Sequence, residues 1–190
     1  PLLPILKNPV VAAFFGIEFI LLFSHAPFYS FYSNFLKQAG YSTTEIGFLW
    51  AVGVMAEIIM FAIAHIFFKR FSWRLMVSIC LILTALRWFM VGSFPQIFAM
   101  QFFAQTIHAF SFGLFHLIAM RIIFQNFSLG QQGRGQALYS TMWGLGVASG
   151  SILAGHYWHS LSGEHIFILA GCAVLLGLGF VRYLPKEVQA

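Results

Sequence analysis

The sequence predicts an all-α integral membrane protein, a single bundle of six transmembrane helices with both ends cytoplasmic. Three observations carry that expectation. Only 8% of the 190 residues are charged and 60% are hydrophobic, with a mean hydropathy of +0.85; an ordinary soluble domain carries roughly 25% charge. Phe occurs 24 times, a load that lipid contact tolerates and a water-facing surface does not. Apolar runs of about 20 residues, the length that crosses the hydrocarbon, recur along the chain. The formal charge of +5 is not gathered into a basic stripe or RNA-binding motif, so no nucleic-acid partner is expected. Cys80 and Cys172 lie inside apolar runs and suggest neither a disulfide framework nor a zinc site. The chain opens Pro1-Leu2-Leu3-Pro4 without an initiator Met, and is expected to be a piece of a longer one.

The six runs cover approximately 10–36, 46–68, 75–92, 94–124, 137–158 and 166–184. Each is read as a helix, because lipid leaves backbone groups without outside partners and none shows the period-two alternation of a barrel strand. Asn8-Pro9 reads as an N-cap followed by proline at the first helical position. Thr43-Thr44-Glu45 is expected to cap the second span, Ser72 the third, and Pro95 to open the fourth. In span five, Gly146-x-x-x-Gly150 and Ser151-x-x-x-Gly155 are small-residue spacings that let helices approach closely.

Orientation follows from Lys and Arg. If the spans alternate, Lys7, Lys69, Arg70, Arg74, Arg134, Arg182 and Lys186 share one side, and Lys37 stands alone on the other. The richer side is read as cytoplasmic, in a bacterial inner membrane.

The remaining ionisable residues lie inside spans, where a charge is costly and usually faces a partner or water. At about 1.5 Å per residue, Glu57 of span two, Arg87 of span three and His108 of span four fall at similar, near-central depth. Gln101, Gln105, His108, Phe112 and His116 form one stripe along span four; Glu18, His25, Tyr29 and Tyr32 form another along span one, beside Pro27. Trp50, Gly53 and Glu57 share a face of span two. Such convergence suggests a wet cavity; the alternative is an internal hydrogen-bonded packing network. Tyr29, Phe31 and Tyr32 fit an interfacial aromatic belt as well as solute contacts, and Arg121 is expected to snorkel to the boundary. His156 and His159 lack nearby third and fourth ligands, so no metal or other cofactor is expected.

Several stretches resemble a known family. His25-Ala26-x-x-Tyr29, Ala39-Gly40-Tyr41-Ser42, Leu49-Trp50, Gly53-Val54, Ala56-Glu57-Ile58, Arg87-Trp88 and His116-Leu117-x-Ala119-Met120-Arg121 are similar to the 3-phenylpropionate permeases. These are major facilitator superfamily proton symporters related to lactose and nucleoside permeases. The resemblance covers the family's carboxy-terminal six helices, so the amino-terminal six-helix half is expected to be absent from this sequence. It implies that Glu57, Arg87 and His108 match the acid, arginine and histidine that handle sugar and protons in the lactose permease group. That group's lysine and second carboxylate near the histidine are replaced here by Gln105 and Ser111. The superfamily's loop motif is degraded to Lys69-Arg70-Phe71-Ser72-Trp73-Arg74, as in the phenylpropionate type.

The resulting expectation is half of a proton-coupled secondary transporter, not an enzyme, for a small organic acid, aromatic on the resemblance. Arg87 would neutralise Glu57 or meet a solute carboxylate. Glu57 and His108 would respond to protons, with Glu18 in reserve, and His25, Gln105, Tyr29 and His116 would complete the site. Its partners would be solute, protons, lipid and the other half, with self-association through the exposed polar face. Other readings are a sugar or nucleoside symporter, a membrane enzyme using scattered histidines, and a non-transporting scaffold.

Overall fold

A computed structural model describes residues 3–186. In order the helices are α1 (Leu3–Leu6), α2 (Pro9–Gln38), α3 (Thr43–Arg70), α4 (Trp73–Ser93), α5 (Phe98–His108), α6 (Phe115–Asn126), α7 (Gln132–Leu175) and α8 (Leu178–Val181). A π-helical segment, Ala109–Leu114, joins α5 to α6, and a short 3-10 turn, Leu129–Gln131, precedes α7. The described residues contain no strand. Among the described residues, five continuous runs are long and apolar enough to span a membrane: Pro9–Gln38, Thr43–Arg70, Trp73–Ser93, Phe98–Asn126 and Leu129–Val181. The chain is an all-α integral membrane protein.

Helix starts follow local chemistry, with two corrections. Asn8 caps α2, its side chain accepting from the Val10 amide at 2.9 Å, with Pro9 at the first position. At α3 the cap is Ser42 rather than Thr43. Its hydroxyl accepts from the Glu45 amide, and the Glu45 carboxylate accepts in return from the Ser42 amide, a reciprocal capping box. Ser72 caps α4 through the Leu75 amide. Pro95 does not open the next helix; it lies in a turn, and α5 begins at Phe98 without a side-chain cap.

The last apolar run is not one straight rod. Ser162 has φ 62° and ψ 159°, a left-handed conformation that side-chain-bearing residues rarely adopt. Before it, Gly146 lies against Phe19 and Gly150 against Phe23, while Trp158 stacks on Phe31 at 4.5 Å between ring centres. Gly163 meets Phe35. Beyond it, Gly171 meets Phe89 of α4, Gly177 meets Leu81, and Phe180 faces Gly16 near the start of α2. The chain thus follows α2 to its far end and then returns.

At Gly150 the helices approach closely, and an added Cβ would stand 2.5 Å from the Phe23 carbonyl oxygen. Pro27 has no amide hydrogen to give that carbonyl four residues back, so the small residue sits where the helix ladder is open. Ser30 and Ser151 hydroxyls bond across the same seam at 2.8 Å. By contrast α3 is held along one stripe only, Ile46, Leu49, Gly53, Met60 and Ala64, against α5 and the π segment.

Two ends of the bundle are tied separately. At one, Asn8 Nδ2 donates to Asn126 Oδ1 at 3.4 Å, and Arg74 donates to the carbonyls of Arg182 and Leu184. At the other, Phe35, Gln38, Pro95, Gln96, Trp158 and Glu164 line a shared cavity.

Candidate functional site

Arg87 is the centre of the interior polar array. It lies near the far end of α4, fully buried, with its guanidinium carbon 4.2 Å from the Phe28 ring centre and 4.4 Å from that of Trp88. These rings favour a cation over their faces and exclude water from it. Trp88 is itself held by an indole N–H donated to Ser24 Oγ at 3.3 Å.

The acceptors around Arg87 are neutral. Its Nη1 faces His108 Nδ1 at 2.9 Å, His25 Nε2 at 3.4 Å and Ser111 Oγ at 3.4 Å; its Nη2 donates to Gln105 Oε1 at 3.2 Å. Arginine only donates, and this fixes both imidazole tautomers. His108 must accept at Nδ1, so its proton sits on Nε2, 2.6 Å from Glu57 Oε1. His25 Nδ1 faces the Leu21 carbonyl at 2.8 Å and must donate there, which leaves Nε2 to accept from Arg87. A neutral imidazole therefore links a carboxylate on α3 to a guanidinium on α4.

This arrangement corrects one expectation. Arg87 is expected to neutralise Glu57 or to meet a solute carboxylate, but the described ion-pair partner of Glu57 is His108. Depth alone could not distinguish two groups in contact from two groups joined through a third. Nor is the interior around Arg87 wet: Arg87, Gln101, Gln105 and Ser111 have no solvent exposure. Arg87 bonds Gln105 and Ser111, Gln101 turns to the end of α4, and Phe28 and Trp88 close the space around the guanidinium. The array reaches the open side through Glu57, whose side chain is 17% exposed.

Local backbone features make the contact possible. Gly53 brings α3 close enough that an added Cβ would lie 3.1 Å from Gln105 Oε1 and 3.4 Å from the His108 ring. The π segment begins directly after His108 and places Ser111 beside the same guanidinium. Such segments often occur where helical geometry serves function.

The expected site residues divide accordingly. Glu57, Arg87, His108, His25 and Gln105 come together. Tyr29 lies alongside, its ring 6.0 Å from that of His25. His116 instead meets Tyr139 Oη at 3.0 Å. Glu18 is fully buried, and neither carboxyl oxygen has a hydrogen-bond partner. Gln101 donates to the Val91 and Phe94 carbonyls and accepts from Tyr32, so it closes the end of α4. Tyr32 and Phe31 pack inward, on Gln101 and Trp158. Arg121 is exposed and lies 4.5 Å from the Phe68 ring centre. Sequence reasoning missed Phe28 as a ring facing Arg87. Its position one turn after His25's neighbour Ser24 was the available signal, but 24 phenylalanines gave no reason to choose it.

The MFS_1 like family matches residues 1–169. The chain is 33% identical over 172 residues to a protein of Escherichia coli (strain K12) named "Probable 3-phenylpropionic acid transporter". That match covers 88% of this chain and 43% of the relative's length, so the chain spans less than half of that transporter.

Proposed function

The chain belongs to the MFS_1 like family, and from that premise we propose that it is the carboxy-terminal half of a proton-coupled transporter for a small organic acid. The observation that carries this reading is the Glu57–His108–Arg87 array: a central guanidinium with neutral acceptors, connected through one imidazole to one carboxylate. With Glu57 ionised the array is neutral overall. A proton taken up by Glu57 leaves the fixed charge of Arg87 unbalanced, and a solute carboxylate can balance it through the bidentate geometry that guanidinium favours. Proton and anion would then enter together without net charge. His108 cannot simply become imidazolium in place, because a second N–H would point at an Arg87 N–H. Protonation there requires the contact to open, which gives the array two states.

We extend the proposal to the surrounding architecture. The reversal at Ser162 divides the last apolar run into two spans, giving six, and the shared end of Asn8, Arg74 and Arg182 faces the cytoplasm of a bacterial inner membrane. An amino-terminal six-helix half would supply the opposite wall of the solute path, since facilitators of this superfamily bind between two halves. The aromatic shell of Phe28, Trp50 and Trp88 suits a phenyl-bearing acid, the type named for the Escherichia coli relative. The sugar reading is weaker because Gln101 is committed to helix carbonyls.

The test is Glu57→Gln in the full-length transporter, with solute exchange and proton-driven accumulation measured separately. The expected result is retained exchange with accumulation lost. Normal accumulation in this variant would remove Glu57 from the coupling path. Competition between phenyl-substituted carboxylates and sugars or nucleosides tests the solute class in the same preparation.

A further inference from the structure

Outside the array, the described interior holds one buried carboxyl that the proposed mechanism does not use, that of Glu18. Glu18 lies on α2 seven residues before His25, about two helical turns and ~10 Å nearer the end where Asn8 and Arg74 are tied. The two residues share the inward face of α2, where Phe14 stacks on Phe115 of α6 and His25 meets Arg87. Other polar groups on that face are engaged: Ser24 with Leu21 and Trp88, His25 with Leu21 and Arg87, Tyr32 with Gln101. Glu18 is fully buried, and both its oxygens lack partners.

We propose that Glu18 is a second proton-binding site, a carboxyl that holds its own proton inside the bundle, separate from the Glu57–His108–Arg87 array. An ionised carboxylate has about four acceptor positions to satisfy, and one with none filled is strongly disfavoured away from water. The neutral acid has a far smaller need. Its neighbours on the same face, Phe14, Leu21 and Leu22, are buried and apolar, so packing alone gives no use for an acid there.

Titratable and charged groups turned into the bundle from the elements around it include His25, Tyr29 and Tyr32 of α2, Glu57 of α3, Cys80 and Arg87 of α4, His108 of α5, His116 of α6 and Tyr139 of α7; α1 and α8 carry none. None of them hydrogen-bonds either Glu18 oxygen. Tyr139 bonds half-buried His116 instead. Any part this proton plays in coupling rests on the transport reading above; the site itself does not, so the test detects the proton directly.

The chain carries only five acidic residues, which makes a protonated-carboxyl carbonyl stretch assignable by substitution. Infrared spectra of the chain in lipid bilayers at neutral pH should show such a band. It should disappear in Glu18→Gln and in Glu18→Leu and persist in Glu57→Gln, all at matched helix content. Persistence of every protonated-carboxyl band in both Glu18 variants, or the absence of any such band in the parent chain, would overturn the proposal. If the band is assigned to Glu18 while the full-length transporter moves solute without protons, the site stands and the coupled-transport reading falls.

Discussion

Arg87 is a buried cation whose hydrogen-bonding partners are two imidazoles, a hydroxyl and an amide oxygen. That is an unusual balance for the middle of a membrane bundle, where charges normally pair. Phe28 and Trp88 stabilise the cation without neutralising it, so its charge is available to an arriving anion. Arg121, exposed and lying against Phe68, has no comparable task. In the full-length transporter, Arg87→Ala should therefore weaken solute affinity about 10- to 100-fold, as loss of a charged hydrogen bond worth ~1.5–3 kcal/mol implies. Arg121→Ala should cost only the ~0.5–1 kcal/mol of an exposed cation–ring contact. Uptake at matched expression checks the pair, and equal mild defects in both would count against a solute role for Arg87.

At the scale of elements, the α2–α7 seam shows one helix making room for another. Pro27 leaves the Phe23 carbonyl without its ladder donor, and Gly150 packs directly over it, with no space for a side chain. A backbone carbonyl cannot move aside as a flexible side chain can. Gly150→Val should accordingly destabilise the bundle by about 1–3 kcal/mol, the usual cost of overpacking. Gly144→Ala, where no atom lies within 4 Å of an added Cβ, should be close to neutral. Thermal unfolding in lipid compares the two. The contact at Gly53 follows the same logic but serves the site, because the atoms it accommodates are those of Gln105 and His108.

The whole chain has an unevenly covered surface. Its interior is closed by α2, α4 and α7, whereas α3 touches the bundle along one stripe and leaves Val54, Met55, Ile58, Ile59 and Phe61 exposed. Helical geometry puts Val54 and Phe61 next to the Trp50–Glu57 face. Lipid can cover the apolar part but is a poor neighbour for a partly exposed carboxylate. The 190-residue chain reconstituted alone should thus self-associate through this face and show no proton-driven uptake. Single cysteines introduced at Val54 or Phe61 should cross-link between copies more readily than one at Leu176, which is 69% exposed elsewhere on the surface. A dispersed monomer with coupled uptake would contradict this account.

Composition and run length by themselves determined that the chain is helical and lies in a membrane, since so few charges leave no other solvent and lipid leaves the backbone no other partner. Local chemistry likewise determined the caps at Asn8 and Ser72, because capping acts within a few residues. The repeat of polar side chains at helical spacing placed Gln105, His108 and His25 among the candidates, and a shared near-central depth placed Glu57 and Arg87 there. Which of them touch was decided only by tertiary structure. The order Glu57, His108, Arg87 depends on Gly53 drawing α3 inward and on the π segment after His108, and neither is a property of one helix's periodicity. The separation of Glu18 from that array has the same origin: a stripe shows which residues share a face, but a hydrogen bond depends on what the neighbouring helices bring to each level of it.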